Sequence, residues 1–279
     1  MDRVRIPEQL AEAARAVLDG QAQPVTPRDA ATVMLLRPVA TGSGFEVYML
    51  LRQPSMVFAP GAYVFPGGSV DQRDADEEVA WAGPAVQQWG AIFDAPPELA
   101  RALVCAAVRE TFEESGVLLA GPSADTVVAD TTGADWEADR QALLDRSLSL
   151  AELLARRSLV LRADLLRPWA RWITPAAEPR RFDARFFTAA LPPGQRTRDV
   201  GGEAAEVQWI TPPAALEAAR AGQIDLWLPT AITLAELANF ADADAVLAAD
   251  REVTAMIPEL FVAEGATWLS VPGAQAYPL

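Results

Sequence analysis

Ala106-Ala107-Val108-Arg109-Glu110-Thr111-Phe112-Glu113-Glu114-Ser115-Gly116-Val117 is the stretch on which the fold of this chain turns. Read as an α-helix, it places residues three and four apart on one face. Glu110, Glu113 and Glu114 then fall within roughly 100° of one another on the helical wheel. Val104, Cys105, Val108 and Phe112 fall on the other side. The pattern predicts a helix from about Pro97 to Ser115 with one face in a core and an acidic face towards a cleft. Prolines stand at its start and Gly116 at its C-cap. Three carboxylates held this close repel one another and raise one another's pKa unless a cation is present. Oxygen-only groups of this kind suit hard divalent ions such as Mg²⁺ or Mn²⁺. On the three glutamates alone, a solvated acidic helix face explains the pattern as well.

Composition narrows the chemistry. The 279 residues include no histidine, and all 23 basic residues are arginine. Ser-His-Asp catalysis, His-ligated zinc, Schiff-base chemistry and the lysine-dependent P-loop are thereby removed. The single cysteine, Cys105, lies on the core side of the helix and reads as structural, not nucleophilic. Any general base must then be a carboxylate or a metal-bound hydroxide, which leaves metal-assisted hydrolysis.

Upstream, Val64-Phe65-Pro66-Gly67-Gly68-Ser69-Val70-Asp71 reads as a strand running into a glycine turn. Gly68, then Asp74 six residues on, then Arg109-Glu110-x-x-Glu113-Glu114-x-Gly116 together resemble the box of the Nudix hydrolases. Asp74 stands where that family usually has Glu, and Thr111 where a larger aliphatic side chain is typical. In the common box seven residues separate the acid from the arginine. Here 34 do, so 27 extra residues are inserted. That interruption resembles the peroxisomal-type coenzyme A diphosphatase subfamily. Met49–Gln53, Phe58–Phe65, Arg181–Phe187 and Leu228-Pro229-Thr230 look like that subfamily too.

The resemblance implies an α/β fold, an α/β/α sandwich around a mixed sheet. It places the Nudix domain at residues 28–240, with the insertion at about 75–101. Residues 1–27 are then an N-terminal helical extension, and 241–279 a C-terminal extension packed on the same domain. Glu110 and Glu114 are implied as the main ligands of Mg²⁺ or Mn²⁺, with Glu113 assisting and the Gly68 carbonyl contributing. Arg109 is implied to orient an acid of the box. A downstream acid supplies a base in many relatives, and Glu203 and Glu206, before Trp209, are the candidates; two solvated acids at a strand end fit equally. Asp74 either joins the cluster or is displaced by the insertion, and Asp71 beside it is open in the same way.

Phe65, Gly67 and Gly68 lie on the substrate side by the same resemblance. Arg52, at a strand end, is a candidate phosphate ligand, since a guanidinium pairs bidentately with phosphate; a solvated arginine fits as well. Trp81 and Trp89 of the insertion are candidates to stack on an adenine, against core packing. The implied reaction is metal-dependent cleavage of the diphosphate of a nucleoside diphosphate derivative. CoA or acyl-CoA leads as the small-molecule substrate, with ADP-ribose or NADH as alternatives, and a non-catalytic nucleotide-binding sensor as another. Such enzymes are frequently homodimers.

A net charge of −15 argues against nucleic acid as a partner. The N-terminal stretch lacks the continuous apolar run of a signal peptide or membrane span. With a lone cysteine and no Ser-Lys-Leu ending, a cytoplasmic location is expected. Locally, residues 7–19 read as an amphipathic helix. Ala31–Leu36 and Phe45–Leu51 form a hairpin about Thr41-Gly42-Ser43-Gly44. Val117–Leu119, Leu166–Ile173, Arg181–Ala190 and Glu206–Ile210 read as strands. Residues 135–157 and 212–221 read as helices, and the chain is mainly helical from Leu228 to Ala249, before a last apolar run at Met256–Val262.

Overall fold

Alternation along residues 31–36 divides the molecule into two cores. The computed structural model describes residues 3–5, 8–56, 59–76, 79–198, 204–263 and 266–271. Its elements begin β1 (Arg3–Arg5), α1 (Glu8–Leu18), β2 (Arg28–Pro38), β3 (Phe45–Arg52), β4 (Ala62–Val64), β5 (Gly67–Ser69), α2 (Gln72–Asp76), β6 (Trp81–Ala82), α3 (Val86–Phe93) and α4 (Pro97–Ser115). There follow β7 (Ala120–Gly121), α5 (Ala134–Leu144), α6 (Leu150–Arg156), β8 (Val160–Arg162), a 3-10 turn at Ala163–Leu165, β9 (Arg167–Ile173), β10 (Phe182–Ala190) and β11 (Ala204–Ile210). Last come α7 (Pro212–Arg220), β12 (Asp225–Leu226), α8 (Leu228–Leu237), α9 (Ala243–Leu247), β13 (Ala255–Met256), β14 (Glu259–Ala263) and β15 (Ala266–Ser270).

The main sheet is mixed, in the order β12-β4-β3-β2-β10-β9-β13, with β11 also pairing with β3 and β5 with β2. β2 runs antiparallel to β3 and parallel to β10. Because side chains alternate across a strand, Ala31, Val33 and Leu35 point to one face, with Tyr48, Leu50 and Phe187 beside them. Met34 and Leu36 point to the other, with Val47, Met49 and Phe186. The first core is closed by α3, α4, α5 and α6, the second by α7, α8 and α9. This is the α/β/α sandwich that the pattern predicts. Among the described residues, no helix is long and apolar enough to cross a membrane.

α4 has the predicted bounds. Pro97 opens it, and Gly116, at φ 76°, ends it with its N–H donated to the Phe112 carbonyl at 2.9 Å. Val117–Leu119 departs from expectation. No strand forms there, because the Gln195 carboxamide takes both backbone groups of Leu118, its Oε1 accepting and its Nε2 donating at 2.9 Å each. The strand begins only at Ala120.

The glycine turn also differs. Gly67–Ser69 is a short strand, antiparallel to Ala30–Thr32 of β2. The insertion holds more structure than a short helix and a loop. Its β6 joins β8 and β7, which come from later in the chain, in a three-stranded sheet, and its α3 lies against α4. Trp89 of α3 is buried beside Phe93 and Phe187, with ring centroids 5.8 and 5.7 Å away. A core position excludes it from stacking on a nucleobase. The final apolar run forms β14, which pairs with β15 in a sheet that β1 completes.

Candidate active site

The last two turns of α4 carry Glu110, Glu113 and Glu114, and all but Glu114, which is half-buried, are covered. Glu110 and Glu113 are only 9% and 7% exposed, so the face expected to look into a cleft is instead packed under β5 and α2. Carboxylates this far from water need partners. Arg109, itself 8% exposed, supplies most of them. Its Nη2 donates to Asp74 Oδ2 at 2.9 Å and to the Ser69 carbonyl at 3.0 Å. Its Nη1 donates to Glu110 Oε1 at 2.7 Å and lies 3.3 Å from both oxygens of Glu113. One guanidinium therefore ties α2, β5 and two acids of α4 together.

The insertion does not carry Asp74 away. Asp71 starts α2, taking the backbone N–H of Arg73 at 3.0 Å, and Asp74 Oδ2 returns to accept the Asp71 N–H at 2.9 Å. This reciprocal cap is what a capping box does. It fixes Asp74 against Arg109. Asp71 itself turns to Arg73, whose hydrogen bond holds its carboxyl well below the usual range.

β5 meets the other acids. The Gly67 N–H donates to Glu114 Oε2 at 2.8 Å. A Cβ on Gly67 would come within 2.5 Å of the Ala31 carbonyl oxygen, and one on Gly68 within 2.4 Å of Glu110 Oε1. The two glycines thus let the strand approach β2 and the helix at once. Different consequences are predicted for the two. Gly67→Ala clashes with backbone and should lower stability by roughly 1–3 kcal/mol. Gly68→Ala meets only a side-chain end, so it should displace Glu110 and cut turnover with little change in Tm. Thermal unfolding and turnover of both variants check this; equal losses of Tm would contradict it.

Four acids, Asp74, Glu110, Glu113 and Glu114, share this region with Arg109. Burial raises the Glu110 and Glu113 carboxyls above the usual carboxylate range, with Arg109 pulling the other way in each case. The excess of buried negative charge and the all-oxygen donors fit a hard divalent cation in chemistry. Among the described residues, however, no three acidic side chains stand at metal-holding spacing. Arg109 stands between Asp74, Glu110 and Glu113.

The other candidates scatter. Arg52 ends β3 on the α4 face, by alternation from Tyr48 and Leu50. Phe65 does not reach the site. It is buried in the second core, on the far face of the sheet, where alternation from Val64 sends it. Glu206 also sits on the far face, opposite Leu51 in β3, and hydrogen-bonds the Tyr63 hydroxyl. A bulge between Ala204 and Glu206 precedes it. Glu206 is therefore not beside the carboxylates of α4. Glu203 lies outside the described residues. Trp81 donates its indole N–H to the Pro84 carbonyl at 2.8 Å and packs on the first core. Cys105 is buried, and burial pushes its thiol up to about 12, so no thiolate nucleophile is available.

Known proteins share this arrangement of chain. The family profile described as the NUDT19 Nudix domain matches residues 86–237. The chicken acyl-coenzyme A diphosphatase NUDT19 is 27% identical, over 84% of this chain and 73% of its own. A putative nudix hydrolase 7 of Caenorhabditis elegans is 30% identical, over 78% of this chain and 62% of its own. The chain thus spans about two thirds of the length of these relatives. The crystal structure of a NUDIX hydrolase from Alicyclobacillus acidocaldarius superposes with a TM-score of 0.69 at 27% identity, covering 82% of this chain and 98% of that one.

Proposed function

From the premise that this chain belongs to the Nudix hydrolases, with a Nudix domain of the NUDT19 kind, we propose that it hydrolyses the diphosphate of CoA or acyl-CoA with the aid of Mg²⁺ or Mn²⁺. The observation that carries the reading is the buried acidic end of α4, laid against Gly67–Ser69 and ordered by Arg109. The names of the NUDT19 relatives supply the substrate class. Water adds across the P–O–P bridge: its oxygen bonds to one phosphorus, and the bridging oxygen leaves with the other. From CoA this gives 3′,5′-ADP and phosphopantetheine.

Glu110, Glu113 and Glu114, with the Gly68 carbonyl, would hold the cation. When bound, it would neutralise charge developing on the phosphates. The residues of the chain do the rest. The Gly67 N–H fixes one oxygen of Glu114. Arg109 orients Glu110 and Glu113 and keeps Asp74 against them. Arg52, on the same face, would pair with a phosphate oxygen. With neither an imidazole nor a lysine amine in the chain, a carboxylate is the side chain proposed to take the proton of the attacking water. A cytoplasmic setting fits a lone buried thiol.

The test is incubation of the purified protein with Mg²⁺ and a panel of CoA, acyl-CoA, ADP-ribose and NADH, with products identified by mass. 3′,5′-ADP from CoA or its thioesters is the expected result. AMP from ADP-ribose without 3′,5′-ADP from CoA would move the substrate, and no turnover of any diphosphate would favour a binding module.

A further inference from the structure

The last four carbonyls of a helix have no partner within it, and at the end of α4 they lie in the interior. Glu113 and Ser115 are buried there, so water cannot serve them and other donors must. Beyond the Phe112 carbonyl, which takes the Gly116 N–H, the carbonyls at this end face groups from other parts of the chain. Arg140 Nη1, on α5, donates to the Glu113 carbonyl at 2.8 Å. The Tyr48 hydroxyl, on β3, lies 3.5 Å from the Glu114 carbonyl and donates to the Arg198 carbonyl at 3.2 Å. The Arg198 N–H donates to the Ser115 carbonyl at 3.2 Å, and Thr131 Oγ1 to the Gly116 carbonyl at 2.6 Å.

Donors on separate, packed elements fix both the rotation and the axial position of the turn they grip. Glu113 and Glu114 stand on that turn, and Glu110 stands one turn earlier. Arg140 is the central member. It is 1% exposed, and its Nε and Nη2 are held by Glu137 at 3.0 and 2.6 Å, so its third arm is aimed at the helix. Trp136, on the same helix α5, packs edge-on against Phe112 at 6.1 Å. The positive charge of Arg140 also faces the negative end of the helix dipole.

We infer that Arg140, with Tyr48, forms a clamp on the C-terminus of α4 that positions the carboxylates of Glu110, Glu113 and Glu114; both are positioning residues, acting on the reaction through the helix. The inference rests on the function proposed above. Arg140→Met should lower kcat for CoA by about 10²-fold, the cost of a displacement of about 1 Å at a reacting centre, while KM changes less than about twofold. Arg140→Lys keeps the charge but not the fork that Glu137 orients, and should recover only part of the loss. Tyr48→Phe removes a single hydroxyl and should give a smaller fall in kcat of the same kind. It decides the matter alone if the Arg140 variants do not fold.

Two further measurements avoid turnover. Hydrogen exchange in the metal-free protein should rise in residues 112–118 of the variants, and Mn²⁺ binding, followed by its paramagnetic resonance, should weaken. If the wild type binds Mn²⁺ but cleaves no diphosphate, the function falls while weaker Mn²⁺ binding by the variants still upholds the clamp. The clamp is overturned if KM rises at constant kcat, if Mn²⁺ affinity is unchanged, or if the kcat loss disappears well below the variants' Tm.

Discussion

Glu114→Gln is expected to lower turnover of the diphosphate substrate by about 10³-fold or more, with Tm unchanged to within about 2 °C. The two halves of that expectation come from two properties of one side chain. Glu114 Oε2 accepts the Gly67 N–H at 2.8 Å, and a carboxamide oxygen can accept the same bond. The tie between α4 and β5 therefore survives the substitution. What is lost is the negative charge that a divalent cation needs, a loss worth several kcal/mol in transition-state stabilisation. Glu114→Ala would remove both functions and confuse them. Kinetics and thermal unfolding of the glutamine variant, measured side by side, separate charge from architecture. Retained turnover would remove Glu114 from the catalytic set, and a large fall in Tm would show that the carboxylate is mainly a structural anchor.

How far this site can be read from sequence depends on whether contacts follow local periodicity. The limits of α4 follow from Pro97 and Gly116, and the hairpin from branched residues flanking Gly42 and Gly44. Ser149, just before the apolar run Leu150–Leu154, caps α6 and accepts the Glu152 N–H at 3.1 Å. Phe65 was legible in principle, since alternation from Val64 assigns it to the far face. Glu206 was less so, because the bulge after Ala204 resets the alternation and no composition signal marks it.

Long-range side-chain bonds were beyond reach. Gln195 replaces a strand partner for Leu118 across 77 positions, and Arg140 reaches the Glu113 carbonyl across 27. Neither residue type nor spacing announces such a bond. The insertion illustrates the same limit. Its length suggested that Asp74 could be carried off, whereas a one-turn capping box and a single guanidinium keep it in place.

That guanidinium is the source of the largest expected effect on stability. Arg109→Met should cost roughly 3–5 kcal/mol, because removing one partner of a buried ion pair leaves uncompensated charge behind. For a chain of this size that corresponds to a fall in Tm of roughly 6–20 °C. The loss is not one of packing, since methionine follows much of the same stem. It arises because Asp74, Glu110 and Glu113 lose their shared donor together, and the Ser69 carbonyl loses its partner at 3.0 Å. Arg109→Lys should recover only part, because an ammonium cannot span Asp74 on one side and Glu110 on the other.

A double-mutant cycle isolates the electrostatic share. With Arg109 already replaced, Asp74→Asn should cost much less than it does in the wild type, and it should even stabilise if repulsion between the acids dominates. Melting curves in chelator-treated buffer would measure these costs, and added Mn²⁺ should restore Tm more in Arg109→Met than in the wild type by taking over the missing positive charge. Additive costs in the cycle, together with equal effects of Mn²⁺ on both proteins, would mean that Arg109 does not hold the acids together.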